Sequence, residues 1–191
     1  MRIIAGAHRG HILHANEGDT TRPITDRAKQ SLFDSLQECF VNETVLDCFS
    51  GSGSMGLECL SRGAAKAIFV ERDRGALTAL KQNLAEMQMA DRALILPIDA
   101  YAAGDHPDLK NLTIAFIDPP YSHTDTGHLR HKVDNLLRSL AANSMVDGGI
   151  LSFRHPSRVT VDAAALGVKI LRELRFGSSG DGMTITWLTK A

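Results

Sequence analysis

Four carboxylates stand where apolar runs end: Asp47 in TVLDCF, Glu71 in KAIFVE, Asp99 in ALILPID and Asp118 in LTIAFID. Acids are rarely buried without a partner, so each marks a strand tip that meets a ligand or a turn. Between the first two lies VLDCFSGSGSMG, in which Gly51, Gly53 and Gly56 make a G-x-G-x-x-G. Such glycines let the backbone turn sharply and approach a ligand, and the helix that follows offers unpaired N–H groups. Glu71, at the end of the next apolar run, can accept hydrogen bonds from ribose hydroxyls. This is the pattern of a nucleotide-cofactor loop.

The glycines alone suit NAD and S-adenosylmethionine equally, and Asp47 separates them. Beside a pyrophosphate at ~5 Å its carboxylate would cost about 3 kcal/mol per charge pair at an effective dielectric of about 20; beside a sulfonium and an ammonium the same interaction is favourable. S-adenosylmethionine is therefore the expected cofactor, the other role for Asp47 being to cap the turn or the helix. Asp99 either accepts a hydrogen bond from the adenine amino group or forms a turn. Phe49, Arg72 and Ala100, beside these acids, complete the expected cofactor set with Asp47, Gly51, Gly53, Glu71 and Asp99.

Asp118 opens the tetrapeptide Asp118-Pro119-Pro120-Tyr121. An aromatic exocyclic amine is a poor nucleophile because its lone pair is delocalised into the ring. If Asp118 and the Pro119 carbonyl accept its two hydrogens, the nitrogen is held and pushed towards a tetrahedral shape with its lone pair aimed at a methyl group. Consecutive prolines fix φ and remove two donors, so the carbonyl is held rigidly. Tyr121 offers a face on which a base can stack. Catalytic roles are thus expected for Asp118, Pro119, Pro120 and Tyr121. A base paired in a duplex cannot enter such a pocket, so the substrate is a single-stranded, looped or flipped nucleotide.

These residues need a frame to hold them. Apolar strand-like runs alternate with helical patterns of 10 to 20 residues from Thr44 to Arg154, the signature of a doubly wound, mostly parallel sheet. Asp73 stands where it can cap one helix, and Thr25 or Asp26 another that runs over residues 24–40. The tail breaks the rhythm, because two strand-like runs joined by FGSSGDG leave no room for a helix and predict an antiparallel hairpin. The first residues read as two short strands, RIIA and HILHA. Residues 1–40 are therefore expected to form a hairpin-and-helix extension and 41–191 a seven-stranded Rossmann-like domain, all one compact unit.

The composition is that of a globular chain: 191 residues, 43% hydrophobic and 23% charged. No run approaches a membrane span and the N-terminus lacks a signal-like apolar core, so a cytoplasmic protein with no membrane partner, and a monomer, is expected. Cys39, Cys48 and Cys59 show no C-x-x-C spacing and read as reduced core thiols. The histidines lack metal-ligand spacing, and no metal is expected. The formal net charge of −1 leaves any polyanion to be held by a local patch. Arg2, Arg9, Arg22, Arg27 and Lys29 are the candidates for phosphate contacts, a solvated surface role being the alternative for each.

Taken together, RIIAGAHRGHIL, RPITDRAKQSLFDSL, VLDCFSGSGSMGLECLSRGA, FVERD and FIDPPY resemble the RsmD family of class I S-adenosylmethionine-dependent methyltransferases. The resemblance implies methylation of the N2 amine of one guanine in 16S ribosomal RNA, free or in an assembling small subunit. It implies further that Asp47, Gly51, Gly53 and Glu71 hold the cofactor, Asp99 its adenine, and Asp118 to Tyr121 the amine and base. Related pockets serve DNA adenine N6 and protein glutamine N5, which stand as the alternative acceptors. A dinucleotide-dependent oxidoreductase and a non-catalytic RNA-binding factor are the readings from other classes.

Overall fold

Most strands are built on short apolar runs, and most helices begin where a short polar residue or glycine stands at the N-terminus. The computed structural model describes residues 1–15, 24–36, 39–125, 127–177 and 182–191. The chain divides into two compact units, Met1–Ala100 and Tyr101–Ala191.

The first unit holds α1 (Asp26–Leu36), β1 (Thr44–Cys48), α2 (Ser54–Ser61), β2 (Lys66–Val70), α3 (Arg74–Glu86) and β3 (Ala93–Leu96). β2 pairs in parallel with both β1 and β3, giving the order β3-β2-β1. All three strands are short, and β1 and β2 are apolar almost throughout because helices cover their faces. Phe69, Leu46, Leu57, Leu80 and Phe33 are buried in this unit's core. As expected, the Asp73 side chain caps α3, accepting from Ala76 N at 2.8 Å. Thr25 Oγ1 accepts from Ala28 N at 3.2 Å at the start of α1. Of the two expected N-terminal strands only one antiparallel bridge forms, between Arg2 and Ile12.

The second unit holds β4 (Leu112–Ile117), α4 (His128–Asn143), β5 (Met145–Pro156), α5 (Ala163–Leu166), β6 (Val168–Phe176) and β7 (Met183–Lys190). β4 and β5 are parallel; β7 runs antiparallel to both β5 and β6, in the order β4-β5-β7-β6. The C-terminal hairpin is therefore present as the tail predicts. Within each unit parallel strands alternate with helices, a Rossmann-like arrangement, and in the second unit β7 runs against both its neighbours. Short α5 is an addition to the elements read from sequence, capped by Asp162 and closed by left-handed Gly167. Among the described residues no helix is long and apolar enough to cross a membrane.

Candidate active site

The first centre is the glycine loop of the first unit. Gly51 and Gly53 have φ of 53° and 89°, and Phe49 also turns left-handed at 64°. A Cβ at Gly53 would lie 2.5 Å from Leu80 Cδ1 and one at Gly56 2.4 Å from Phe69 Cε1, so either would force its neighbour to shift. These glycines therefore serve close packing of loop and helix against the sheet. The Asp47 carboxylate, 2% exposed, accepts from Gly56 N at 2.8 Å. Glu71 accepts from Gly51 N at 2.9 Å and, with its other oxygen, from Arg72 N and Asp73 N at 2.8 Å each. Backbone donors thus fix both carboxylates in place.

Asp99 is paired with the Arg72 guanidinium at 2.9 Å, at an exposed position. Ala100 is buried, with its carbonyl 4.0 Å from Cys48 Sγ. Cys48 and Cys59 are core thiols, as the sequence suggests, and Cys39 is exposed. Burial, and then the Asp47 charge, push the Cys48 thiol well up. Two hydroxyls of the loop, Ser50 Oγ and Ser52 Oγ, are buried with no hydrogen-bond partner among the described residues. Orphaned buried hydroxyls, three carboxylates and no basic residue from Phe49 to Gly56 make a donor set that fits a cofactor carrying positive charge and hydroxyl groups.

The second centre lies in the second unit, where β4 ends. Pro120 has φ −52° and leads into a single turn of 3-10 helix at Tyr121–His123, its carbonyl accepting from His123 N at 2.8 Å. Asp118 meets a side-chain donor. Arg154 of β5 reaches its Oδ2 with Nη1 at 2.6 Å, and Arg154 Nη2 lies 3.4 Å from the Tyr121 hydroxyl. The same guanidinium carbon stands 5.5 Å from the centroid of the Tyr121 ring. Burial pulls the pKa of Arg154 down, but the Asp118 and Tyr121 partners outweigh it and the net shift is upward. Arg154 was not among the expected site residues. Its signal in the sequence is an arginine inside the mainly apolar strand-like run ILSFRHP.

The N-terminal basic residues divide. Arg2, Arg9 and Arg27 line one open pocket with Gly10, Asp26 and Gln30, and Arg2 Nε pairs with Asp26 at 2.7 Å. Arg22 lies outside the described residues. Lys29 corrects the expectation of a phosphate contact, because its side chain is 2% exposed and its Nζ is held by Glu58 at 3.0 Å, Ser54 Oγ at 3.1 Å and the Arg2 carbonyl at 3.2 Å. Glu58, wholly buried, also accepts from Ile4 N, Ala5 N and Arg62 Nε. A cation drawn into a low-dielectric interior stays charged only beside such a partner, and burial lowers the pKa of Lys29. Asn83 adds a second fastening, joining His14 to the Ser52 carbonyl of the glycine loop.

The family described as "Conserved hypothetical protein 95" matches residues 1–182. The chain belongs to this family, that of the RsmD-like methyltransferases. It is 33% identical over 184 residues to "Putative rRNA methyltransferase YlbH" of Bacillus subtilis, covering 94% of this chain and 96% of that protein. It is 39% identical over 121 residues to "Ribosomal RNA small subunit methyltransferase D" of Escherichia coli K12; that match takes in 63% of this chain and 60% of the other. Among solved structures, "Putative methyltransferase yhhF from Escherichia coli" superposes with a TM-score of 0.80 at 30% identity, over 100% of this chain and 98% of that one. The resemblance read from the RsmD-like motifs is thus matched by family and by fold.

Proposed function

We propose that the protein transfers a methyl group from S-adenosylmethionine to the exocyclic N2 amine of a guanine in small-subunit (16S) ribosomal RNA. The observation that carries this reading is the Asp118-Pro119-Pro120-Tyr121 corner at the end of β4, in a chain whose relatives include proteins named as ribosomal RNA methyltransferases. When bound, S-adenosylmethionine supplies an electrophilic methyl group on a sulfonium. Asp47 and Glu71, held by backbone N–H groups, set negative charge beside the glycine loop, with Phe49, Gly51, Gly53 and Ala100 shaping it and Asp99 and Arg72 paired at its edge.

Asp118 and the Pro119 carbonyl accept the two amine hydrogens and orient the nitrogen lone pair, while Tyr121 takes the face of the base. Arg2, Arg9 and Arg27, gathered at one pocket, and Arg22 offer contacts to RNA phosphates. The reaction proceeds in the cytoplasm, where the ribosomal subunit is assembled.

The test is to map the methyl group missing from ribosomal RNA of cells lacking the protein, and to restore it with wild-type and Asp118→Ala chains. Restoration by wild type alone, with Asp118→Ala still binding S-adenosylmethionine, is the expected result. Competition among RNA, DNA and protein acceptors separates guanine N2 from adenine N6 and glutamine N5.

A further inference from the structure

An arginine inside an apolar strand needs a reason to be there. Arg154 is 7% exposed and lies on β5 between Phe153 and His155, both buried. Long cations are seldom buried unless a counter-charge meets them, and here the counter-charge is the carboxylate assigned to the amine. The contact is short, at 2.6 Å, and charge-assisted. The guanidinium also approaches the Tyr121 ring at cation–π distance, so a single side chain touches both polar members of the corner. A carboxylate has two oxygens with about four acceptor sites, enough to serve a guanidinium and an amine together.

We propose that Arg154 is the positioning residue of the acceptor corner: it holds Asp118 aimed and ionised, and props the Tyr121 ring so that a base stacks on the opposite face. This role rests on the amine-methylating reading of Asp118 given above. A protonated Asp118 would present a hydroxyl where the amine needs an acceptor, so a fixed cation extends the acidic range over which the corner works. An opposite charge at contact distance lowers a carboxyl pKa by about 1 to 3 units. The Arg154 guanidinium of β5 is set against Asp118 at 2.6 Å, and the same guanidinium lies 3.4 Å from the Tyr121 hydroxyl in the turn after β4. His155 follows on β5, and its side chain is bonded instead to the Pro156 carbonyl and to Thr186 of β7.

The experiment compares wild type with Arg154→Gln and Arg154→Lys in the full chain. Three quantities are followed: methyl transfer to unmethylated small subunits and to their naked RNA across pH, the affinity for S-adenosylmethionine, and the carboxyl titration of Asp118 by carbon NMR. Arg154→Gln is expected to lower kcat about 10-fold to 100-fold, as loss of a residue that orients a reacting group does, with cofactor affinity nearly unchanged. Its acid limb and the Asp118 titration should both move up by about one pH unit or more. Arg154→Lys should return the titration towards wild type while recovering only part of kcat, because a point charge lacks the planar fork.

Wild-type activity together with an Arg154→Gln chain of unchanged kcat and unchanged Asp118 titration overturns this role alone. A fall in kcat with no movement of the titration and no rescue by lysine also overturns it, in favour of a packing role. A wild-type chain that methylates neither acceptor overturns the functional reading, and this role with it.

Discussion

Asp47 and Glu71 accept from backbone N–H groups, whereas Asp118 accepts from a side chain of β5, the strand paired with its own. The first arrangement is fixed by the chain path: once Phe49 to Gly56 have turned, the donors cannot move without refolding the loop. The second depends on one guanidinium, carried by a single side chain of β5. On the proposed reading, cofactor recognition is written into backbone geometry and acceptor chemistry into a side-chain pair. Changes near the loop should tell first on stability or binding, and changes at the corner first on rate.

Substitutions can break that contrast, and the largest effect is expected at Glu58. Glu58→Gln leaves the buried Lys29 cation without its counter-charge and should cost about 3 to 5 kcal/mol in urea unfolding. Asp118→Asn should act the other way, lowering methyl transfer about 100-fold to 1000-fold with a smaller loss of stability, since Asp118 is partly exposed and the amide still accepts from Arg154. Equal losses of stability in these two variants would erase the distinction. Gly53→Ala forces a side chain to φ 89° and against Leu80, a strain of about 1 to 3 kcal/mol. Calorimetry should find its affinity for S-adenosylmethionine weakened about 10-fold.

The second unit also carries an acid-sensitive element. Burial lowers the pKa of His155, and its Nδ1–H donates to the Pro156 carbonyl while Nε2 accepts from the Thr186 hydroxyl, fixing the neutral ring. A depressed folded-state pKa means that its contribution to stability is present above the ordinary value of about 6.5 and is lost as the pH falls below it. Stability measured from pH 7 to pH 5 should therefore fall more steeply in wild type than in His155→Gln. The smallest effect is expected from Arg27→Ala, a few-fold loss in RNA affinity with the salt slope reduced by about one.

Much of the frame was legible because periodicity and caps agree. The Asp73 cap, the strand–helix alternation and the turn-rich FGSSGDG each have a local physical cause, and β6 and β7 form as that turn predicts. The glycine loop was legible for the same reason. What escaped were contacts set by tertiary neighbours. Lys29 reads as one of several basic residues near the N-terminus, and only Glu58, a lone acid in the apolar run MGLECL, hints that a cation must come to meet it. Arg154 follows the same logic, since its partner lies 36 residues away in sequence. The N-terminal strands failed to extend because Ile4 and Ala5 give their N–H groups to Glu58 instead of to a ladder.

Cys48 stands immediately before the loop that would present an electrophilic methyl group. A thiolate there would be a far better nucleophile than any aromatic amine, and would end as a dead thioether. Burial first, and then the neighbouring carboxylate of Asp47, hold that sulfur protonated. The acid read as a cofactor contact thus has a second effect: together with burial, it raises the pKa of the thiol that follows it in the chain.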